Sequence, residues 1–159
     1  MKVSIIVHSL SGKTRKFADS LFDRLTSDGH TVNLCQLETT VPIKGGSVYQ
    51  KMDIQFTNLP SVKDADLVLF GGPVWAIGPS PVIISAMQQI GNLKGKSVVS
   101  FITMGFPLKC MGGNAALARM NRVAGTQGAK VLPGSICCHM LHNLDAQIAE
   151  ETQRIAKLI

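Results

Sequence analysis

Three hydroxyl residues, Ser9, Ser11 and Thr14, stand around Gly12 in the stretch HSLSGKT (8–14), directly after the apolar run KVSIIV. Hydroxyl donors beside a glycine, leading into a helical pattern, suit the capture of one phosphate monoester. A short loop that runs into a helix N-terminus aims backbone N–H groups and the positive end of the dipole at a single point. The hydroxyls add donors, Gly12 allows close backbone approach, and Lys13 adds a positive charge. An ordinary Ser/Thr helix cap uses the same residue types, so this loop is weighed together with the rest of the chain. The ending GKT also fits a triphosphate loop, but that motif needs a glycine five positions before Gly12. Val7 stands there, inside the apolar run.

Two further segments are unusual in the same way. GGPVWAIGPS (71–80) puts a double glycine, two prolines and the only tryptophan after the apolar run DLVLF. A rigid loop carrying an aromatic plane is what one face of a flat heterocycle needs. TMGFPLKCMGGN (103–114) follows the run SVVSFI and offers exposed backbone N–H groups, Phe106 as a second aromatic, and Gly112 and Gly113 before the next helical pattern. One phosphate loop and two ring-binding loops specify FMN rather than a dinucleotide.

These three segments need a scaffold that gathers them. Lys2–Val7 is short, apolar and β-branched, as in a strand buried on both faces. Thr14–Asp28 carries Phe17, Ala18, Leu21, Phe22 and Leu25 at helical spacing, with Gly29 as the stop. Thr31–Leu37 alternates like an edge strand. Glu38–Lys63 has no clear period, contains Pro42, Gly45, Gly46 and Pro60, and reads as a long excursion with a short extended piece at MDIQF. Asp66–Phe70 is the next buried strand, ending where GGPVWAIGPS begins. Ser80 and Pro81 are an N-cap and first-turn proline for a helix over Val82–Ile90, closed by Gly91. Ser97–Thr103 is a third core strand, and Ala115–Ala124 a helix. Ala129–His139 is a last strand, whose Pro133 and Gly134 suit an edge or bulge. Asn143–Ile159 is a terminal helix.

Strands alternate with helices, so the sheet is expected to be parallel, with right-handed crossovers and helices on both faces. Five strands and four or five helices make one doubly wound α/β domain over residues 1–159. Ligands of such sheets bind beyond the carboxyl ends of the strands, where strand order reverses. All three unusual loops leave carboxyl ends.

Together the loops resemble those of the flavodoxin-like FMN-binding family, whose carriers and NAD(P)H-dependent reductases share a Ser/Thr-x-Ser/Thr-Gly-x-Thr phosphate loop. The resemblance covers essentially the whole length. It implies strand order 2-1-3-4-5, the arrangement for which flavodoxin is a standard example. It also implies that Ser9, Leu10, Ser11, Gly12, Lys13 and Thr14 bind phosphate. Gly72, Pro73, Val74, Trp75, Ala76, Ile77 and Gly78, with Thr103, Met104, Gly105, Phe106, Gly112 and Gly113, would line the flavin ring. The family often has Asn where Lys13 stands, its carriers are typically acidic, and its second ring-covering tyrosine is replaced here only approximately by Phe106.

The bulk numbers narrow the function classes. At 159 residues, 45% hydrophobic and 16% charged, the chain is globular rather than disordered. No apolar run approaches the ~20 residues of a membrane helix, and the short N-terminal run is not a secretory signal, so a cytoplasmic protein is expected. Cys35, Cys110, Cys137 and Cys138 form neither a CxxC pair nor a zinc spacing and read as free, buried thiols. The charge of +6 is spread singly along the chain with few aromatics, which favours anionic cofactors or substrates over nucleic acid. A receiver-type signalling domain would need acidic residues at the strand ends, where Val7-His8 and Phe70-Gly71 stand.

No catalytic side chain is expected, because a flavin carries its own redox chemistry. His8, His30, His139 and His142 read as ordinary surface or loop residues, with His8 the one close enough to the site to take part. The leading expectation is an FMN-dependent oxidoreductase passing electrons from NADH or NADPH to a small acceptor such as a quinone. The alternative is an electron carrier that docks to redox proteins. A homodimer is compatible with either.

Overall fold

The computed structural model describes residues 1–44 and 53–159. Strand β1 (Lys2–Val7) buries every residue after Lys2, as its unbroken apolar run requires. Helix α1 (Lys13–Ser27) buries Thr14, Phe17, Ala18, Leu21 and Leu25, the stripe its spacing predicted. Then come β2 (Thr31–Gln36), β3 (Leu67–Trp75), the two-residue β4 (Gly78–Pro79), α2 (Pro81–Ile90) and β5 (Ser97–Met104). The chain continues through α3 (Gly113–Thr126), β6 (Lys130–Val131), β7 (Ser135–Cys138) and α4 (Leu144–Ala156).

The sheet runs β2-β1-β3-β5-β6, and β7 pairs with β5 further along the same edge. All these pairings are parallel. Strands β6 and β7 are two halves of one edge strand, broken at Pro133 and Gly134 as expected. A side chain at Gly134 would run into the Ser100 carbonyl, with the Leu117 Cδ1 atom only 2.7 Å away. Counting the halves together gives the expected order 2-1-3-4-5. The fold is α/β and flavodoxin-like, with four helices covering both faces. One face packs Phe17, Leu21 and Leu25 of α1 and Ile148 and Ile155 of α4 against Ile5, Leu69 and Phe101. The other packs Ile83 and Met87 of α2 and Met120 of α3 against Phe70, Val98 and Ile102.

Three elements differ from the sequence expectation by two residues or more at a boundary. The first concerns β3, expected to stop at Phe70 but continuing through Trp75. Gly71, Gly72 and Pro73 stay in register with Phe101, Ile102 and Thr103 of β5. The two glycines serve packing rather than turning. A Cβ at Gly71 would fall inside the Phe101 ring, and one at Gly72 would lie 2.8 Å from the Ile83 Cγ2 atom. The segment then folds back as a tight antiparallel hairpin, Val74 opposite Pro79 and Trp75 opposite Gly78.

Secondly, α3 starts at Gly113, two residues early, because Gly112 takes a left-handed φ of 103° that begins the helix. Thirdly, α4 ends at Ala156. Its Asn143 cap does form, accepting from the Ala146 N–H, as does the Ser80 cap of α2 through Ile83 N–H.

The excursion after β2 is partly ordered as antiparallel pairing: Thr39 bridges Phe56 and Thr40 N–H donates to the Gln55 carbonyl at 2.9 Å. Ile54 and Val62 are buried in the α2-side core, so this irregular chain covers sheet that a helix would otherwise cover. Of the sequence signals placed here, Gly45, Gly46 and Met52 of MDIQF lie outside the described residues.

Candidate functional site

The three unusual loops meet at the carboxyl end of the sheet. After Val7 the chain is pinned to β3 by His8 N–H donating to the Gly71 carbonyl at 2.9 Å. It then turns through Gly12, at φ 82°, into α1. The start of α1 is electrostatically incomplete. Among the described residues no side chain caps it, its first turn has no acidic residue, and its first residue is Lys13. Free N–H groups and the positive dipole end stand together here in a segment that also carries a cationic residue, which favours an anion.

A second observation points to a ligand. Ser9 is 8% exposed, and its Oγ is buried without a hydrogen-bond partner among the described residues. A buried, unpaired hydroxyl costs about 1–3 kcal/mol. This orphan stands in the loop whose N–H groups are also free. Leu10, Ser11 and Gly12 are exposed and Lys13 is half-buried. Thr14, buried, is already engaged: its hydroxyl lies 2.7 Å from that of Thr103 at the end of β5. One of the two donates to the other, so the pair keeps one hydroxyl proton for a ligand and ties the first loop to the third.

The second loop forms the hairpin described above. Trp75 is half-buried and Ala76 and Ile77 are exposed at its tip, with Ala76 held at φ 54°, a conformation that suits glycine better than alanine. The tip rests on the third loop, since a Cβ on Gly112 would meet Ile77 Cα at 3.0 Å. Gly113 is equally crowded, by the Met104 Sδ atom at 2.6 Å. In the third loop Phe106 is exposed and Gly105 half-buried.

The structure thus brings all three loops together but distributes their residues unequally. Trp75, Ala76, Ile77, Gly78, Gly105 and Phe106 border the open rim. Gly72, Thr103, Met104, Gly112 and Gly113 are buried beneath it, with Pro73 and Val74 half-buried in the strand. Those buried and strand residues shape the rim through packing.

His8 is the residue that the sequence undervalued. It is only 5% exposed. Its Nδ1 lies 2.8 Å from the Ser80 Oγ, and its ring meets Trp75 edge-on, centroids 5.3 Å apart at 76°. Burial lowers its pKa to about 4, so the imidazole is neutral at neutral pH. Ser80 is fully buried and already accepts from Ile83 N–H. Donating its own proton to His8 Nδ1 satisfies the hydroxyl completely, which leaves the imidazole N–H on Nε2. The signal available in the sequence was position: His8 directly follows a strand buried along its length. His139 is half-buried, and burial followed by the nearby Lys13 ammonium lowers its pKa.

Beside Ser9, on the β2 side, opens a cavity of about 410 Å³ that also touches His8, Gln36 and Glu38. Cys137 and Cys138 are buried, Cys35 half-buried, and all four thiols are free. Cys110, however, is exposed, because it sits at the crest of the third loop. Among the described residues, no group of three His, Cys, Asp or Glu side chains could hold a metal ion. No helix among them is long and apolar enough to cross a membrane.

No known protein-family description matches the chain, and no curated protein matches it in sequence. Solved structures do match in fold. Oxidised flavodoxin 1 from Bacillus cereus aligns with a TM-score of 0.69 at 18% identity, over 99% of this chain and 96% of its own. The flavodoxin of Streptococcus pneumoniae TIGR4 aligns at 0.66 and 17%, over 100% of both chains. Rubredoxin oxygen:oxidoreductase from Desulfovibrio gigas aligns at 0.67 and 18%, over 99% of this chain but 35% of its own. The chain therefore has the flavodoxin-like fold, which occurs both as a free-standing protein and as part of a larger one.

Proposed function

We propose that the protein binds FMN and carries electrons between redox partners. The observation that carries this reading is the buried, unpartnered Ser9 hydroxyl beside the uncapped, cation-led start of α1. These groups fit a phosphate monoester: Ser9, Ser11, Gly12 and Thr14 supply donors and Lys13 supplies charge, while Leu10 stands at the rim. Trp75 and the hairpin residues Ala76 to Gly78 would border one side of the ring, held in place by Gly72, Pro73 and Val74 in the strand beneath. Gly105 and Phe106 would border the other, over the floor made by Thr103, Met104, Gly112 and Gly113. Bound FMN supplies one- and two-electron transfer.

The chain contributes position and dryness. Neutral His8 keeps charge out of the buried space behind Trp75, and its bond to Ser80 fixes the ring against which the indole rests. The Thr14–Thr103 bond holds phosphate loop and ring loop at constant separation. The carrier reading is further supported by the full-length likeness to free-standing flavodoxins and by the exposed apolar rim around the site.

A second reading, a reductase passing electrons from NADH or NADPH to a small acceptor such as a quinone, draws support from the charge of +6. A positive field attracts anionic dinucleotides. The deciding experiment begins with purification and release of a yellow chromophore identified as FMN. Titration with stoichiometric NADH or NADPH under anaerobic conditions follows. Rapid bleaching would displace the carrier reading; a protein that stays colourless with excess FMN would overturn both.

A further inference from the structure

The loop after β7 brings a histidine to the site that its place in the sequence did not mark. Beyond Cys138 the chain stays tied to the third loop. His139 N–H donates to the Met104 carbonyl and Met140 N–H to the Gly105 carbonyl, each at 3.0 Å. These bonds carry the pairing of β7 with β5 past the end of the strands. They fix the His139 backbone beside Gly105, one of the residues that border the open rim.

The imidazole is turned the same way. A Cβ on Gly105 would lie 3.7 Å from the His139 Cε1 and 3.8 Å from its Nε2. Because residue 105 has no side chain, the ring edge carrying Nε2 is left uncovered at that point. His142, in the same loop, is already engaged, its Nε2 lying 2.9 Å from the Pro107 carbonyl. The His139 ring has no such partner among the described residues.

The charge that reaches His139 comes from the first loop. Burial lowers its pKa first, and the Lys13 ammonium second. The other ionisable groups on the surrounding elements are engaged or neutral. On α4, Asp145 pairs with Lys16 at 2.7 Å, and Glu151 pairs with Arg154 at 2.7 Å and lies 4.0 Å from Lys109 of the third loop. Burial keeps the Cys137 and Cys138 thiols protonated, and the third loop adds only the exposed Cys110 thiol. Lys13 stands in a first turn that has no acidic residue. The contact between the Thr14 and Thr103 hydroxyls at 2.7 Å keeps the start of α1 and the third loop at fixed spacing. An ammonium and an imidazole set together with no carboxylate between them are an arrangement that an anion stabilises.

We propose that His139 is a further anion-binding residue of this site, taking up a proton from solvent as a phosphate monoester settles against the start of α1. In the free protein Lys13 opposes the imidazolium. A phosphate dianion offsets that ammonium and adds attraction of its own, so the proton is favoured once the ligand is bound. The inference rests on the FMN reading for the identity of the ligand, and on this chain's own residues for the rest.

The test follows the ring protons of His139 by NMR through a pH titration of the protein alone, with saturating inorganic phosphate, and with FMN. The His139 midpoint should rise by about 0.5–1 pH unit with either ligand, while that of His30, before β2 at the opposite end of the sheet, stays in place. In the free protein Lys13→Gln should raise the same midpoint, since it removes the opposing charge. Affinity should carry the same signature. FMN should bind about two- to tenfold more tightly at pH 6.5 than at pH 8.5, and His139→Asn should flatten that profile. Ionisation of the phosphate itself, at about pH 6, would act in the opposite sense. His8 titrates at about 4, outside the window. A His139 midpoint unmoved by both ligands overturns the proposal, as does a profile that His139→Asn leaves intact. Protein that takes up no FMN yet shows the midpoint rise with inorganic phosphate would uphold the proton-linked anion site while the FMN reading fails. FMN uptake with the midpoint unmoved gives the converse.

Discussion

Replacing Ser9 with alanine should move two properties of the protein in opposite directions. Among the described residues the Ser9 Oγ is buried and without a partner, so the substitution breaks no hydrogen bond among them. It removes a desolvated hydroxyl whose burial costs about 1–3 kcal/mol, part of which the lost packing of one atom offsets. Stability should stay level or rise by up to about 1 kcal/mol, which for a domain of this size is about 2–4 °C in Tm. Affinity for FMN should fall. A hydrogen bond to a charged phosphate contributes about 1.5–3 kcal/mol, so the dissociation constant should rise about 10- to 150-fold. The assay is urea or thermal unfolding of the ligand-free variant beside quenching of flavin fluorescence on titration. Thr14→Ala is the internal control. Its hydroxyl already has the Thr103 partner, so this variant should lose about 1 kcal/mol of ligand-free stability as well as FMN affinity. A Ser9→Ala protein that unfolds several degrees early yet binds FMN as before would refute the reasoning and make Ser9 an ordinary structural serine.

Other outcomes follow from the packing and the buried imidazole. Gly71→Ala should destabilise the fold by about 2–3 kcal/mol because its methyl collides with the Phe101 ring; adding Phe101→Leu should recover part of the loss, read as coupling in a double-mutant cycle of urea midpoints. His8, with its folded pKa lowered from 6.5 to about 4, binds fewer protons folded than unfolded across that window. Stability should therefore fall as pH drops from 6.5 toward 4, by about 3 kcal/mol in total. His8→Asn should remove that component from the unfolding-versus-pH curve, and an unchanged curve would place the charge elsewhere. Ala76→Gly should raise stability by about 1 kcal/mol by relieving the positive φ at the hairpin tip, checked by calorimetric Tm.

The sequence by itself determined the elements and their order. Runs such as KVSIIV and SVVSFI have no exposed side to offer and could only be buried strands, and helical spacing from Phe17 to Leu25 left one way to cover them. Local chemistry also marked the caps at Ser80 and Asn143 and the break at Pro133-Gly134, because each depends on residues within a few positions. What only the tertiary structure decided depends on neighbours distant in sequence. Gly71 and Gly72 carry the local signature of a turn, yet they extend a strand because Phe101 and Ile83 fill the space that side chains would need. Thr14 and Thr103 were assigned to different parts of one ligand, and they prove to bond to each other across 89 positions. His8 became a buried neutral base only through Ser80, 72 residues later, since burial and the identity of a hydrogen-bond partner are set by what the fold places alongside.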